Sequence, residues 1–387
     1  MSSAVEPSSV ASKLGENNHH SNLPSGGYNP LDSRTQEFIP FEQPISDPLP
    51  APGPKVSKYG VVRTETEFST ERIAAPWLSP ETARMKNPNT KFHNEIVEFV
   101  HMIEPSQQDL ASRQKSLNLM REAVTMGATN ITVDAVGAFA AGIYLPHSES
   151  VVVVSSPNTD SIELMKFTSR CLLKHPSVFK NLRVATIANQ PVIKLHIDGI
   201  PFDIHFNKDE LVKEGQEMIR SLKENHELKF LLMPLYLFLK QRDLSNEAQG
   251  GVSLFLLHCM LVTALRFLRK RIRETRGQKD VDNVLLSEYY LKILEFYGLH
   301  FDCAKQRILT GADQEIVEKE SKDNMFSLVC PAVSSKDIGL PAYRVKEVFN
   351  CLKNRYFFLT NYNFLPGESI LKYLLNPCKF NFKSYLR

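Results

Sequence analysis

No two cysteines in this 387-residue chain have CxxC spacing, and the six that occur, at 171, 259, 303, 330, 351 and 378, form no cluster with His. That excludes a zinc knuckle and a disulfide framework and predicts an intracellular, reduced chain. Long apolar runs are lacking too. The stretches 230–239 and 252–257 fall short of the roughly 20 residues that span a bilayer, and the polar N-terminus has no basic stretch leading into an apolar one. Neither secretion nor membrane insertion is expected. Charge of one sign is also missing: 46 Lys+Arg against 43 Asp+Glu leave a formal +3, so any nucleic-acid surface must come from local clustering. What is present is ordinary for a globular protein, with 42% apolar and 23% charged residues and length enough for two domains and a tail.

Residues 1–85 hold 11 of the 23 prolines, with PLPAPGP at 48–54 the densest run. Such composition buries too little apolar area to offset ordering entropy, which predicts a disordered Pro/Ser-rich tail. Two apolar segments interrupt it, FIPFEQPI (38–45) and IAAPWLSP (73–80), the latter carrying the single tryptophan. Each would either pack on the chain's own core or serve as a partner-binding peptide. From Phe92 the apolar spacing becomes helical, and a second helix is expected at about 107–125 after Pro105-Ser106. NITVDAV (130–136) and VVVVSS (151–156) read as strands. PVIKLHIDGIPFDIHF (191–206) reads as a hairpin around Asp198-Gly199, a pair suited to a two-residue type I′ turn, and that register sets Lys194 opposite Asp203. Helical patterns resume at 209–223, 229–241, 250–274 and 285–297, with Pro234 expected to kink or start the second of these.

Phosphoryl-group transfer from a nucleoside triphosphate depends on positioning and charge neutralisation, commonly by two divalent ions held by carboxylates. Two carboxylates at i and i+2 on a strand, with a third on a neighbouring strand, would supply the ligands. The stretch VDAVGAFAAGIYLPHSESVVVV (133–154) has the skeleton of such a site, and several further segments fall in order around it. These are FHNEIVEFVHMIEPS (92–106), FDIHFN (202–207), KQRDLSNEAQGGVSLFLLHCMLV (240–262), LLSEYYLKILEFYG (285–298) and FSLVCPAVSSKDIGLPAY (326–343). Together, over roughly 90 to 355, they resemble the non-canonical poly(A) polymerases of the nucleotidyltransferase superfamily. The resemblance implies an α+β fold: a small nucleotidyltransferase (palm) sheet domain flanked by helices, plus a helical central domain, behind the disordered N-terminal tail. The expected boundaries are 1–85 for the tail, 86–106 for a lead-in helix, 107–212 for the palm, 213–360 for the central domain and 361–387 for an aromatic, basic extension.

Carried over residue by residue, the resemblance implies an eroded catalytic set. Gly137 stands at the phosphate-loop glycine, but the serine expected next is Ala138. The first metal aspartate falls on Glu149, the second on Val151, which cannot ligate, and the third on Asp203. Aligning QRDL and Gly250-Gly251 without a gap puts Tyr236 at the triphosphate lysine and leaves Lys240 one turn on. Gly250, Gly251 and Ser253 fall in the nucleotide segment, where the glycines would alternatively serve only close helix–helix approach and a helix start. Glu149 and Asp203 would otherwise be polar residues of a solvated cleft, and His258 a buried core histidine. The run 266–279 offers Arg266, Arg269, Lys270, Arg271 and Arg273 as RNA-phosphate candidates, or as dipole-complementing residues at a helix end. The implied function is RNA 3′-end tailing in RNA surveillance, here as a pseudoenzyme scaffold for RNA or protein partners. The alternative is a slow nucleotidyltransferase adding AMP from ATP through Glu149 and Asp203. Mg²⁺ or Mn²⁺ and ATP are the cofactors if it is active, and none otherwise. RNA is the expected partner, with proteins of a surveillance or tailing complex reached through the tail; no membrane is involved, and the location is nuclear or cytoplasmic.

Overall fold

The computed structural model describes residues 75–377 apart from 127–129, 146–147, 188–189, 276, 278–282, 311–314, 321–322 and 366. Before residue 75 it describes only two short antiparallel strands, β1 (Lys55–Val56) and β2 (Val62–Arg63). The expected tail, including FIPFEQPI, and the 378–387 end of the C-terminal extension therefore lie outside the described residues.

A five-stranded sheet forms one half of the described body. Its strands are β3 (Thr132–Ala135), β4 (Ser150–Ser155), β5 (Phe179–Ile187), β6 (Gln190–Ile197) and β7 (Ile200–Phe206), in the order β3-β4-β7-β6-β5. Only the β4–β7 pair is parallel. Asp198 and Gly199 have φ of 49° and 82°, so both central residues of the β6–β7 turn are left-handed, as a type I′ turn requires. Alternation along the strands does the rest: Val152, Val154, Ile193, Leu195, Phe202, Ile204 and Phe206 enter one core. Helices α3 (Gln107–Thr125) and α5 (Ser161–Leu173) close that core with Leu117, Met120, Leu164 and Leu172. The opposite sheet face carries Val151, Asp203 and Lys194. Ser106 starts α3 through a reciprocal capping box with Asp109.

The helical half begins earlier than the sequence pattern suggests. Asn87 caps α2 (Pro88–Ile103), whose first residue is a proline where a missing N–H does no harm. Ser79 likewise caps the short α1 (Pro80–Ala83). Trp77 is buried, sits edge-on to Phe99 at 5.2 Å and donates from Nε1 to Glu95 at 2.9 Å. The tail predicted through residue 85 thus gives way to packed chain by Trp77, and the described part of IAAPWLSP, from Ala75, packs on the chain's own core. The core continues through α4 (Gly137–Ala141), α6 (Asp209–Glu224), α7 (Leu228–Lys240), α8 (Leu254–Thr275), α9 (Leu286–Glu295) and α10 (Val345–Asn361). Pro234 lies inside α7 rather than starting it, and α8 begins at Leu254, after the two glycines expected to open it. A π-helical turn, Phe296–His300, follows α9, and β8 (Gln306–Leu309) pairs with β9 (Glu315–Glu318). The extension folds back as Ile370, Leu371, Leu374 and Leu375, all buried.

Candidate functional site

Between the free sheet face and the helical half lies a cleft of about 430 Å³. Its walls bring together Gly137 and Ala138, Glu149 and Val151, Asp203, Tyr236 and Lys240, and Ser253. Eight residues picked out by sequence, from five separate segments, thus meet in one place.

Strand register explains the carboxylate side. Parallel pairing sets Val151 beside Asp203, so an isopropyl group stands next to the carboxylate. Asp203 is also opposite Lys194, as the hairpin register predicts, with Nζ 2.5 Å from Oδ2. Lys194 remains 43% exposed and Asp203 14%, so an ammonium at the rim of the cleft already occupies part of the coordination capacity of Asp203. Glu149 is exposed just before β4. Its loop is held by Arg113, a residue sequence reasoning missed. The buried Arg113 guanidinium donates to the Ser148 carbonyl at 3.0 Å and to Ser150 Oγ, and lies 4.2 Å above the Tyr144 ring. An arginine in a helix that otherwise reads as amphipathic gives no sequence signal of that role. Among the described residues no three His, Cys, Asp or Glu side chains come together as a metal site. With an apolar Val151 beside Asp203, the donor set does not fit a two-metal centre.

The other wall holds the residues that the resemblance places at the phosphates. Gly137 has φ +59°, a left-handed conformation that favours glycine, at the start of α4. Gly215 of α6 seats against that loop, since a Cβ there would be 3.4 Å from the Gly137 nitrogen. Tyr236 and Lys240, one turn apart on α7, both line the cleft. Burial, reinforced by the nearby Glu149 charge, raises the pKa of the Tyr236 phenol, which also hydrogen-bonds Ser245. The far wall holds a pair that sequence reasoning also missed. Lys336, from the loop after β9, reaches Glu214 at 2.9 Å and Glu210 at 3.0 Å on α6. Burial raises the pKa of the Glu214 carboxyl, with Lys336 opposing the shift.

Other sequence candidates lie elsewhere. Gly250 and Gly251 do not line the cleft, and the close neighbours they admit come from loops and not from a second helix. A Cβ on Gly250 would lie 2.3 Å from the Tyr343 ring, and one on Gly251 2.6 Å from the Leu244 carbonyl oxygen. On α8, Arg266 and Lys270 are exposed, but Arg269 donates to Asn225 at 2.5 Å and pairs with Glu227, tying α8 to the α6–α7 junction. Arg271 and Arg273 also have partners. His258 is buried and stacked on Phe255 at 6.1 Å, as expected of a core histidine, but neither ring nitrogen has a hydrogen-bond partner among the described residues.

No family model matches the chain. It is similar to Poly(A) RNA polymerase protein 2 of Saccharomyces cerevisiae, 25% identical over 321 residues, covering 76% of this chain and 54% of that one. It is also similar to the inactive non-canonical poly(A) RNA polymerase protein Trf4-2 of Drosophila melanogaster, 25% identical over 291 residues, with 71% and 70% of the two chains covered. The chain spans about half the length of the yeast relative. Among solved structures, the polymerase core of TRAMP, an RNA surveillance complex, matches with a TM-score of 0.66 at 21% identity, covering 78% of this chain and 99% of that one. That likeness is one of fold. No helix of the described residues is long and apolar enough to cross a membrane.

Proposed function

We propose that this chain, a member of the non-canonical poly(A) RNA polymerase family, keeps the polymerase fold as an RNA-contacting scaffold and has given up two-metal catalysis. One observation carries the reading: Val151 is the register partner of Asp203. In the family pattern a second carboxylate belongs there, and two divalent ions must be placed to about half an ångström for phosphoryl transfer. Glu149 and Asp203 leave one ligand short, and Lys194 is already paired with Asp203. Ala138 removes a hydroxyl from the phosphate loop, and Tyr236 places a neutral phenol where a cation would face the triphosphate. No step through a metal follows from this donor set.

What persists is a cleft of about 430 Å³, within the usual 300–1,000 Å³ range for small-molecule sites. Lys240 and Ser253 still line it, so ATP remains its candidate ligand. The similarity to a polymerase named inactive supports a silent member, and the fold of the TRAMP core supports a place in RNA surveillance or tailing. RNA is the proposed partner, together with proteins of such a complex, in the nucleus or cytoplasm. Purified full-length chain, ATP and an oligo(A) primer test the reading. Extension in Mg²⁺ is expected to be absent, and processive tailing under those conditions would sink it. Mn²⁺-dependent extension abolished by Asp203→Ala would favour the slow nucleotidyltransferase using Glu149 and Asp203.

A further inference from the structure

A second cavity, of about 410 Å³, opens where the end of α7, the face of α10 and the folded-back extension meet. Arg242, Arg355, Lys372 and Tyr373 line it, and none of them lines the first cleft. The cations are unequally engaged. Arg242 lies 3.7 Å over the Phe238 ring and, among the described residues, donates to the carbonyls of Phe238 at 2.9 Å and Leu374 at 3.3 Å. Its guanidinium is thereby oriented, and no carboxylate of the described residues pairs with it. Arg355 makes no hydrogen bond or ion pair with a described residue, yet is close enough to disfavour the charge on Arg242. Lys372 pairs with Glu368 at 2.8 Å, and Glu368 also accepts from the Tyr373 hydroxyl. Of the three cations, only Lys372 has a carboxylate partner among the described residues. The Tyr373 ring belongs to an aromatic group with Phe358, Tyr362 and Phe364.

Two like charges held together without a counterion are unfavourable unless an anion joins them, and guanidinium groups match phosphate oxygens in geometry as well as charge. We propose that this groove is a phosphate subsite that takes the sugar–phosphate backbone of single-stranded RNA. Cations next to an aromatic surface are the combination that single strands use, the backbone meeting the charge and a base meeting a ring. The inference rests on the reading of the chain as an RNA-contacting scaffold and names where on it the strand lies.

Binding of a labelled oligo(A) to the full chain, followed by anisotropy across a salt series, tests it. Arg355→Gln is the main variant, because Arg355 supports no described contact and its loss should leave the melting temperature unchanged; Lys372→Gln is the second. One lost phosphate contact should lower the slope of log affinity against log salt by about 0.7 and weaken binding about fivefold near 0.1 M salt. Arg355→Lys should retain the wild-type slope. Wild-type binding with both Gln variants unchanged in affinity and slope would overturn the groove while leaving the scaffold reading intact. Absence of any wild-type binding would overturn both. Inorganic phosphate raising the melting temperature of wild type but not of Arg355→Gln, with oligo(A) binding indifferent to the substitution, would overturn the RNA assignment.

Discussion

Burial without a partner makes His258 the most pH-sensitive side chain of the α8 core. Desolvation holds its imidazole pKa down at about 4, against 6.5 for the free group. Because the folded value is depressed, its contribution to stability is complete above pH 6.5 and is lost as the pH falls toward 4, where the unfolded chain binds a proton that the folded one refuses. The gap corresponds to roughly 3 kcal/mol at pH 4. Wild type should therefore lose more stability between pH 6.5 and 4 than His258→Leu, by about that amount in urea denaturation. His93 and His205 are also depressed by burial, but both variants share them, so they cancel in the comparison. Equal pH slopes for the two proteins would show that the imidazole is hydrated or paired in solution. Position 258 was legible in sequence as core, from the apolar spacing around it; its unpartnered nitrogens were not, because hydrogen bonding depends on what other elements bring.

At the scale of elements, two segments, one just upstream and one near the far end of the described chain, converge on Glu95. The carboxylate is fully buried in α2 and accepts from Trp77 Nε1, Ser369 Oγ and the backbone N–H groups of Ile370 and Leu371. Four donors thus depend on one side chain, and burial raises its pKa against their pull. Glu95→Ala should destabilise by at least about 3 kcal/mol, since several buried donors lose their acceptor together, and Glu95→Gln by less. A loss under about 1 kcal/mol for the alanine variant in urea titration would contradict the arrangement. Sequence reasoning could not have found this, because FHNEIVEFV shows Glu95 only as the polar partner of an apolar stripe. Elements with strong local signals fared differently. The β6–β7 hairpin, with Lys194 opposite Asp203, follows from alternation and an Asp-Gly turn alone. By contrast β5 carries an exposed Val184 and a register shift between Lys180 and Arg183, so its alternation is blurred at the sheet edge.

The whole molecule decides whether the eroded cleft is a lost ligand set or a lost site. Val151→Asp would place a carboxylate beside Asp203 in the parallel register, on the strand that follows Glu149. Glu149→Asp shortens the reach, and Ala138→Ser returns a hydroxyl at the start of α4. Those changes add oxygen donors but leave the α7 wall as it is, with Tyr236 half-buried against the cleft and Lys240 exposed one turn further on. An ammonium facing the triphosphate offsets charge that metal ions alone do not. The triple variant is therefore expected to give no tailing of oligo(A) in Mn²⁺ until Tyr236→Lys is added, when extension should become measurable. Lys194 points the same way, since its pairing with Asp203 competes with any cation drawn to that carboxylate. Robust tailing by the triple variant alone would mean that Lys240, from its place at the end of α7, already reaches the triphosphate. In that case the proposed loss of activity would lie in the set Ala138, Glu149 and Val151 and not in Tyr236.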